Sequence, residues 1–110
     1  MKGEHLGEFE ELTLLAVLTL GERAYGVAVV DVIETQTGRE VTVGATYAAL
    51  ERLERKGLLR SSLGESTGER GGKRRRLFTV TAAGLRLLRA SRDAREALWN
   101  ALPRSVRSRS

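Results

Sequence analysis

The chain has 110 residues, of which 41% are hydrophobic and 30% charged, and it carries a net charge of +5 at pH 7. That length allows one small domain with a real core, and that balance is typical of soluble globular proteins. The longest apolar stretch, residues 12–20, is too short to span a bilayer, and the acidic start does not resemble a signal peptide. Because the chain has no cysteine, disulfides and cysteine-bound metals are excluded. We therefore expect a cytoplasmic protein without a membrane partner.

Lysine and arginine are unevenly distributed. The first forty residues are acidic overall, whereas cations crowd into residues 70–76, into the last predicted helix and into a tail with Arg104, Arg107 and Arg109. A solvated basic surface explains any single run of this kind. Several such runs together favour an anionic partner, above all a nucleic acid.

Two helices are predicted in the first forty residues. The first covers residues 7–20 and ends at Gly21; it is apolar nearly all round, so we expect it to lie centrally or to face a second subunit. The second covers residues 26–37 and ends at Gly38; its β-branched residues would also suit a strand, but its length and lack of alternation favour a helix. The apolar residues at helical spacing are Phe9, Leu12, Leu15, Ala16 and Leu20 in the first helix and Val29, Val30 and Ile33 in the second.

A third helix, from Thr42 to Gly57, has two contrasting faces. Thr42 can cap its start and Gly57 can stop it, while Val43, Leu50 and Leu53 form an apolar side with Tyr47 at the border. The opposite side is small at first and basic further on, as a helix that enters the major groove requires. For Tyr47, core packing and a phosphate contact are equal alternatives. The predicted DNA-binding residues of this helix are Thr42, Gly44, Ala45, Thr46, Tyr47, Ala48, Arg52, Arg55 and Lys56.

Two strands, residues 58–63 and 75–80, flank a loop rich in glycine and charge. The loop and the start of the second strand carry Arg70, Lys73, Arg74 and Arg75, which we expect to hold the DNA backbone or minor groove beside the third helix. Three helices followed by a hairpin predict a mainly α fold, a winged helix-turn-helix domain over residues 1–80.

A last helix, capped by Thr81, is predicted from Ala82 to Leu102 and ends at Pro103. Its narrow apolar seam suits pairing with the same helix of a second copy, so residues 81–103 form a dimerisation helix and residues 104–110 a frayed basic tail. Trp99 either packs in that interface or stacks on a flat ligand. The seam consists of Leu87, Ala90, Ala94, Ala97, Leu98 and Ala101.

Catalytic and metal chemistry finds no support. His5 is the sole histidine, and the sequence Gly71-Gly72-Lys73 lacks the spacing and the following helix of a phosphate-binding loop. For the acidic pair Glu10 and Glu11, solvated charge and salt bridging on a helix are a sufficient explanation. We therefore expect no enzyme, no metal and no cofactor.

Several segments together resemble one known family. LGEFEELTLLAVL, AYGVAVVDVIE, VTVGATYAALERLERKGLLRS and ERGGKRRRLFTVTAAG follow one another in an order and spacing similar to the PadR family of bacterial transcriptional regulators. The resemblance runs from Gly7 to about Leu102 and fits the short subclass with one helix after the wing. Many relatives have proline after the tyrosine of the third helix, where this chain has Ala48.

The resemblance implies a winged-helix homodimer that binds a palindromic double-stranded DNA operator, usually as a repressor, often of adjacent transport or detoxification genes. Relatives that sense drugs or phenolic compounds hold flat aromatics near the dimer helices, which makes a small aromatic effector beside Trp99 a candidate partner. Two alternatives are a winged-helix protein-interaction module without specific DNA binding and a protein that binds membrane surfaces through its last helix.

Overall fold

The computed structural model describes residues 6–66 and 74–108, so His5, Arg70, Lys73 and Arg109 lie outside the described residues. It confirms a mainly helical winged helix-turn-helix fold. A short 3-10 turn, Gly21–Arg23, joins the first two helices. In chain order the elements are α1 (Glu8–Leu20), α2 (Gly26–Thr37), α3 (Val43–Arg55), β1 (Leu59–Ser66), β2 (Arg74–Val80), α4 (Ala82–Asn100) and α5 (Arg104–Arg107).

The first three helices pack around one core. The predicted inner face of α2 is confirmed, because Val29, Val30 and Ile33 are all buried. Leu50 and Leu53 of α3 are fully buried on the same core. Leu59 and Phe78, on the inner surface of the hairpin, complete this core.

The face of α1 that enters the core agrees only in part with the predicted spacing, since Phe9, Ala16 and Leu20 contact the core but Leu15 does not. Leu14, Ala16 and Val17 are buried, whereas Leu15 and Leu18 are exposed. A helix that is apolar nearly all round contains no periodic signal for the side that its neighbours will cover. The expectation that α1 is central is confirmed for one side only, and its other side remains uncovered.

Both predicted ends of α3 are present. The Thr42 hydroxyl accepts a hydrogen bond from the Ala45 amide at 2.9 Å, and Gly57 follows the helix with a φ of 79°. Val43 was predicted on the inner face but is about half exposed. Val43 follows the helical spacing of the buried residues, but it lies at the first position of α3, where the helix extends beyond the core.

The two strands form an antiparallel hairpin, called the wing below. Leu59 pairs with Val80 and Ser61 pairs with Phe78, and the register shifts between Leu63 and Ser66. Both strands extend further toward the tip than predicted, since β1 reaches Ser66 and β2 begins at Arg74.

The helix α4 leaves the domain soon after it begins. The Thr81 hydroxyl caps it by accepting from the Gly84 amide at 3.0 Å, and Leu88 is its last buried residue. Every residue from 92 to 100 is exposed, and the molecule measures 59 × 32 × 21 Å. The tail was predicted to be frayed, but residues 104–107 form one helical turn, because Pro103 has a φ of −55° that suits the residue before a helix. Among the described residues, no helix is long and apolar enough to cross a membrane.

Candidate nucleic-acid interface

The outer face of α3 begins with a slim surface. Gly44, Ala45 and Ala48 are exposed, and a Cβ atom added to Gly44 would meet no other atom within 4 Å. Thr42 is exposed as well, but its hydroxyl is occupied by the helix cap. The backbone of the first turns of α3 can therefore approach another surface closely.

Thr46 was predicted to bind DNA, and the structure corrects this. The residue is fully buried, and its hydroxyl donates to the Thr42 carbonyl at 2.9 Å. Its position follows from the helical repeat, because Thr46 lies one turn before Leu50 on the face that enters the core.

The Tyr47 ring packs against the start of α2, in agreement with the first of its two alternatives. A Cβ atom added to Gly26 would lie 2.1 Å from the ring carbon Cζ of Tyr47. Any larger residue at position 26 would require the Tyr47 ring to move.

The cations of α3 fall into two groups. Arg52 and Lys56 both bind one carboxylate, that of Glu10 in α1, with Nε of Arg52 at 3.1 Å and Nζ of Lys56 at 2.9 Å from Oε2. Arg55 is exposed and forms no ion pair within residues 6–66 and 74–108.

Glu10 and its neighbour Glu11 were predicted to carry solvated charge and to form salt bridges; both do form salt bridges, but both are buried rather than solvated. Burial by itself raises the pKa of Glu10, but hydrogen bonds from Lys56, the Gly7 amide and Arg52 outweigh burial and lower the pKa to about 2. The carboxylate of Glu11 accepts from the Ser91 hydroxyl, and its Oε1 lies 2.6 Å from Nη2 of Arg95 in α4. The side-chain partners of both residues are distant in sequence, so no local pattern indicates which side chains these two carboxylates bind.

The first half of β2 carries two arginines on opposite sides of the wing, Arg75 and Arg76. The guanidinium of Arg75 stacks over the Tyr25 ring at 4.3 Å from its centroid. Arg76 donates from Nε to the Ser61 hydroxyl at 3.1 Å and lies 3.9 Å from Glu54 of α3. Arg74 begins β2, and of the predicted wing positions Arg75 is the one that contacts the helical domain, through Tyr25.

A second surface lies between α1 and α4 and was not predicted as a groove. It encloses about 460 Å³ above an apolar floor and is rimmed by acidic residues of α1 and arginines of α4. We call it the leucine groove; its floor consists of Leu12, Leu15, Leu18, Leu85 and Leu88. The only sequence signal for it was the excess of apolar residues around α1.

The predicted seam of α4 is almost entirely exposed in the single chain. Leu87 is the exception, since it is half-buried against the core of its own domain. Trp99 is 56% exposed and borders a shallow depression with Arg104 and Arg107. The exposed seam positions are Ala90, Ala94, Ala97, Leu98 and Ala101.

Comparison with protein families then identifies the chain. The model of the transcriptional regulator PadR-like family matches residues 14–90, from the core of α1 to the first half of α4. The chain belongs to the PadR-like family. This membership makes it a transcriptional regulator, the class that its resemblance implied, and is consistent with a DNA-binding role.

Solved structures show the same PadR-like fold. A transcriptional regulator from Clostridium thermocellum superimposes with a TM-score of 0.67 at 22% identity, covering 83% of this chain and 85% of that chain. A PadR family transcription regulator from Clostridium difficile gives 0.67 at 21% identity, with 82% and 90% covered. A PadR family transcriptional regulator from Eggerthella lenta gives 0.63 at 27% identity, with 90% and 87% covered. No curated protein matches significantly.

Proposed function

We propose that this PadR-like regulator is a dimeric repressor that binds a palindromic operator with α3 in the major groove. The observation that carries the proposal is the outer face of α3, where the small residues Gly44, Ala45 and Ala48 lead to the exposed Arg55 and the half-exposed Arg52. Small side chains let the helix approach base edges, and arginines at its far end bind bases or phosphates.

The wing supplies the flanking contact in this proposal. Arg75 is exposed at its edge, and the stacking on Tyr25 reduces the number of conformations that the arginine must lose on binding. Arg70, Lys73 and Arg74 belong to the same basic run of the sequence. We propose that these residues hold phosphates or the minor groove beside the operator half-site.

Dimerisation is supported by apolar surface that a single chain leaves uncovered. Leu98 is 74% exposed on the projecting half of α4, and the leucine groove lies open beside the base of the same helix. A second copy that pairs along α4 would cover the seam, and two α3 helices would then lie about 34–36 Å apart, or a multiple of that distance, on DNA.

The regulated genes and the effector complete the proposal. We propose that the dimer represses adjacent transport or detoxification genes and that a small aromatic effector beside Trp99 releases it. The exposed indole and the two neighbouring arginines, Arg104 and Arg107, support this site. Quenching of the Trp99 fluorescence by a flat aromatic compound, together with release of operator DNA, is the expected result.

Fluorescence anisotropy tests the DNA-binding proposal directly. Duplex DNA from upstream of the protein's own gene is compared with a scrambled duplex over a series of salt concentrations. We expect binding to the upstream duplex to survive moderate salt, while binding to the scrambled duplex is lost. Absence of binding at any salt would instead support the protein-interaction alternative.

Gly44→Ala is expected to separate stability from DNA binding. The added methyl group meets no atom within 4 Å, so folding stability should stay unchanged or rise by up to about 1 kcal/mol through helix propensity. The same methyl group stands on the face proposed to meet base edges, so operator affinity should fall about tenfold, or about 1.4 kcal/mol. Urea denaturation and anisotropy measure the two effects. Gln36→Ala on the exposed side of α2 is the control and should alter neither operator affinity nor the salt dependence.

Leu98→Glu is expected to yield a folded monomer. Because the side chain is 74% exposed in the single chain, the free energy of unfolding of the domain should barely change. Burying a leucine contributes about 1.5–3 kcal/mol, and a symmetric interface buries it twice, so the dimer dissociation constant should rise more than about a hundredfold. Sedimentation velocity measures this. Asn100→Glu, which adds the same charge on the opposite side of α4, should remain dimeric.

A further inference from the structure

Glu10 lies where α1 meets the second half of α3, and both of its carboxylate oxygens are engaged. Oε1 accepts from the Gly7 amide at 3.0 Å, and Oε2 accepts from Nε of Arg52 at 3.1 Å and from Nζ of Lys56 at 2.9 Å. The residue is only 6% exposed. A carboxylate this deeply buried cannot give up its partners without leaving an unpaired charge in the protein, so it restrains both cations.

The two cations continue the face that is proposed to enter the groove. Gly44, Ala48, Arg52 and Lys56 follow one another in steps of four residues, each of which turns about 40° further around the helix. The row therefore winds from the outer face toward α1 and brings Arg52 and Lys56 to the edge of that face. The side chains of Arg52 and Lys56 are nearly half exposed, so their length would let both reach phosphates. The ion pairs with Glu10 oppose such contacts between these two side chains and phosphates.

Restraint affects the two side chains differently. Lysine is a flexible point charge that binds any phosphate, so a Lys56 ammonium held by Glu10 is withheld from nonspecific contacts. Arg52 is held through Nε, and this contact does not use its two terminal nitrogens. Those nitrogens form the fork that binds the edge of a guanine.

We propose that Glu10 is a positioning residue that sets the sequence discrimination of α3, by orienting Arg52 toward base edges and keeping Lys56 from phosphates. The inference rests on the proposed function, because it concerns the same DNA-binding face. Glu10 itself does not touch DNA.

Glu10→Gln removes the charge that restrains the two cations, and a scrambled duplex serves as the probe. We expect tighter binding to this duplex and a salt dependence that is steeper by about 0.9 in log-log slope for each cation that gains a phosphate. The affinity ratio between upstream and scrambled DNA should fall. Glu11→Gln is the matched control, since it changes the same charge on the same helix but releases Ser91 and Arg95 of α4. Its salt slope should equal that of the wild type, and an unchanged slope in folded Glu10→Gln protein would overturn the inference.

A second pair of variants decides the question even if Glu10→Gln fails to fold. Lys56→Gln and Arg55→Gln remove neighbouring exposed charges from the end of α3. We expect the log-log salt slope of DNA binding to stay unchanged in Lys56→Gln and to decrease by about 0.9 in Arg55→Gln. A loss for Lys56→Gln as large as that for Arg55→Gln would show that Lys56 contacts phosphate in the wild type, and would overturn the inference.

Proton exchange of the Arg52 Nε–H group, measured by nuclear magnetic resonance without DNA, distinguishes a failure of the proposed role of Glu10 from a failure of the proposed function. We expect slow exchange in the wild type and fast exchange in Glu10→Gln, because the hydrogen bond to Oε2 is weakened. Equal exchange in the two proteins, with normal DNA binding by the wild type, refutes only the role of Glu10. Wild-type protein that binds neither duplex refutes the proposed function and this inference with it.

Discussion

Gly84→Ala is expected to lower the free energy of unfolding by about 2 kcal/mol, the midpoint of the usual cost of overpacking. The added Cβ atom would lie 2.3 Å from the Leu58 carbonyl oxygen and 3.0 Å from Cγ1 of Val80. The Leu58 carbonyl is fixed, because it accepts a hydrogen bond from the Thr81 amide at 3.0 Å. Backbone cannot rotate aside as a flexible side chain can, so α4 must move away from the wing. The gain in helix propensity, up to about 1 kcal/mol, does not offset this strain.

Urea denaturation measures the effect, and Gly44→Ala is the matched control. Both glycines lie in the first turn of a helix, but a Cβ atom at Gly44 meets nothing within 4 Å. We expect the denaturation midpoint to fall for Gly84→Ala alone. The dimer should weaken in the same variant, because displacement of α4 changes the angle at which two copies meet. An unchanged midpoint would mean that α4 is not held at its first turn.

Acid is expected to remove about 3 kcal/mol of folding stability through Glu10 alone. Its pKa is lowered from the ordinary 4.5 to about 2 in the folded protein, and each unit corresponds to about 1.4 kcal/mol. Because the folded-state pKa is the lower one, this stabilisation is fully present above pH 4.5 and is lost as the pH falls toward 2. Protonation releases Arg52 and Lys56, so the contact between α1 and α3 loosens at the same time.

Urea denaturation at a series of pH values, with wild type and Glu10→Gln side by side, isolates this contribution. The variant should be less stable than the wild type at neutral pH, since Arg52 and Lys56 lose their charged partner. We expect the difference between the two proteins to shrink as the pH falls below 4.5, because the wild-type residue then becomes neutral as well. A difference that is constant with pH would contradict the lowered pKa.

The elements of this fold follow closely from local sequence. The second helix occupies residues 26–37 as predicted, and the two threonine caps, Thr42 and Thr81, accept the expected amides at 2.9 and 3.0 Å. Caps, turns and helical repeats depend on hydrogen bonds and side-chain positions within one or two turns of chain. Such signals are complete within a short segment, and the exposed residues Gly44, Ala45 and Ala48 could be placed from them.

The charge pattern of the candidate interface could not be derived in the same way. Arg52 and Lys56 meet Glu10 across 42 and 46 residues, and the packing of α1 on α3 decides that contact. Thr46, by contrast, was misplaced although the helical repeat puts it one turn before Leu50, on the face that enters the core. Residues distant in sequence decide whether a polar side chain of a helix is buried or exposed. Its helical conformation depends instead on residues within one turn of the chain. The local sequence therefore establishes α3, its small outer face and the wing, whereas long-range packing establishes which of their cations form ion pairs with buried carboxylates.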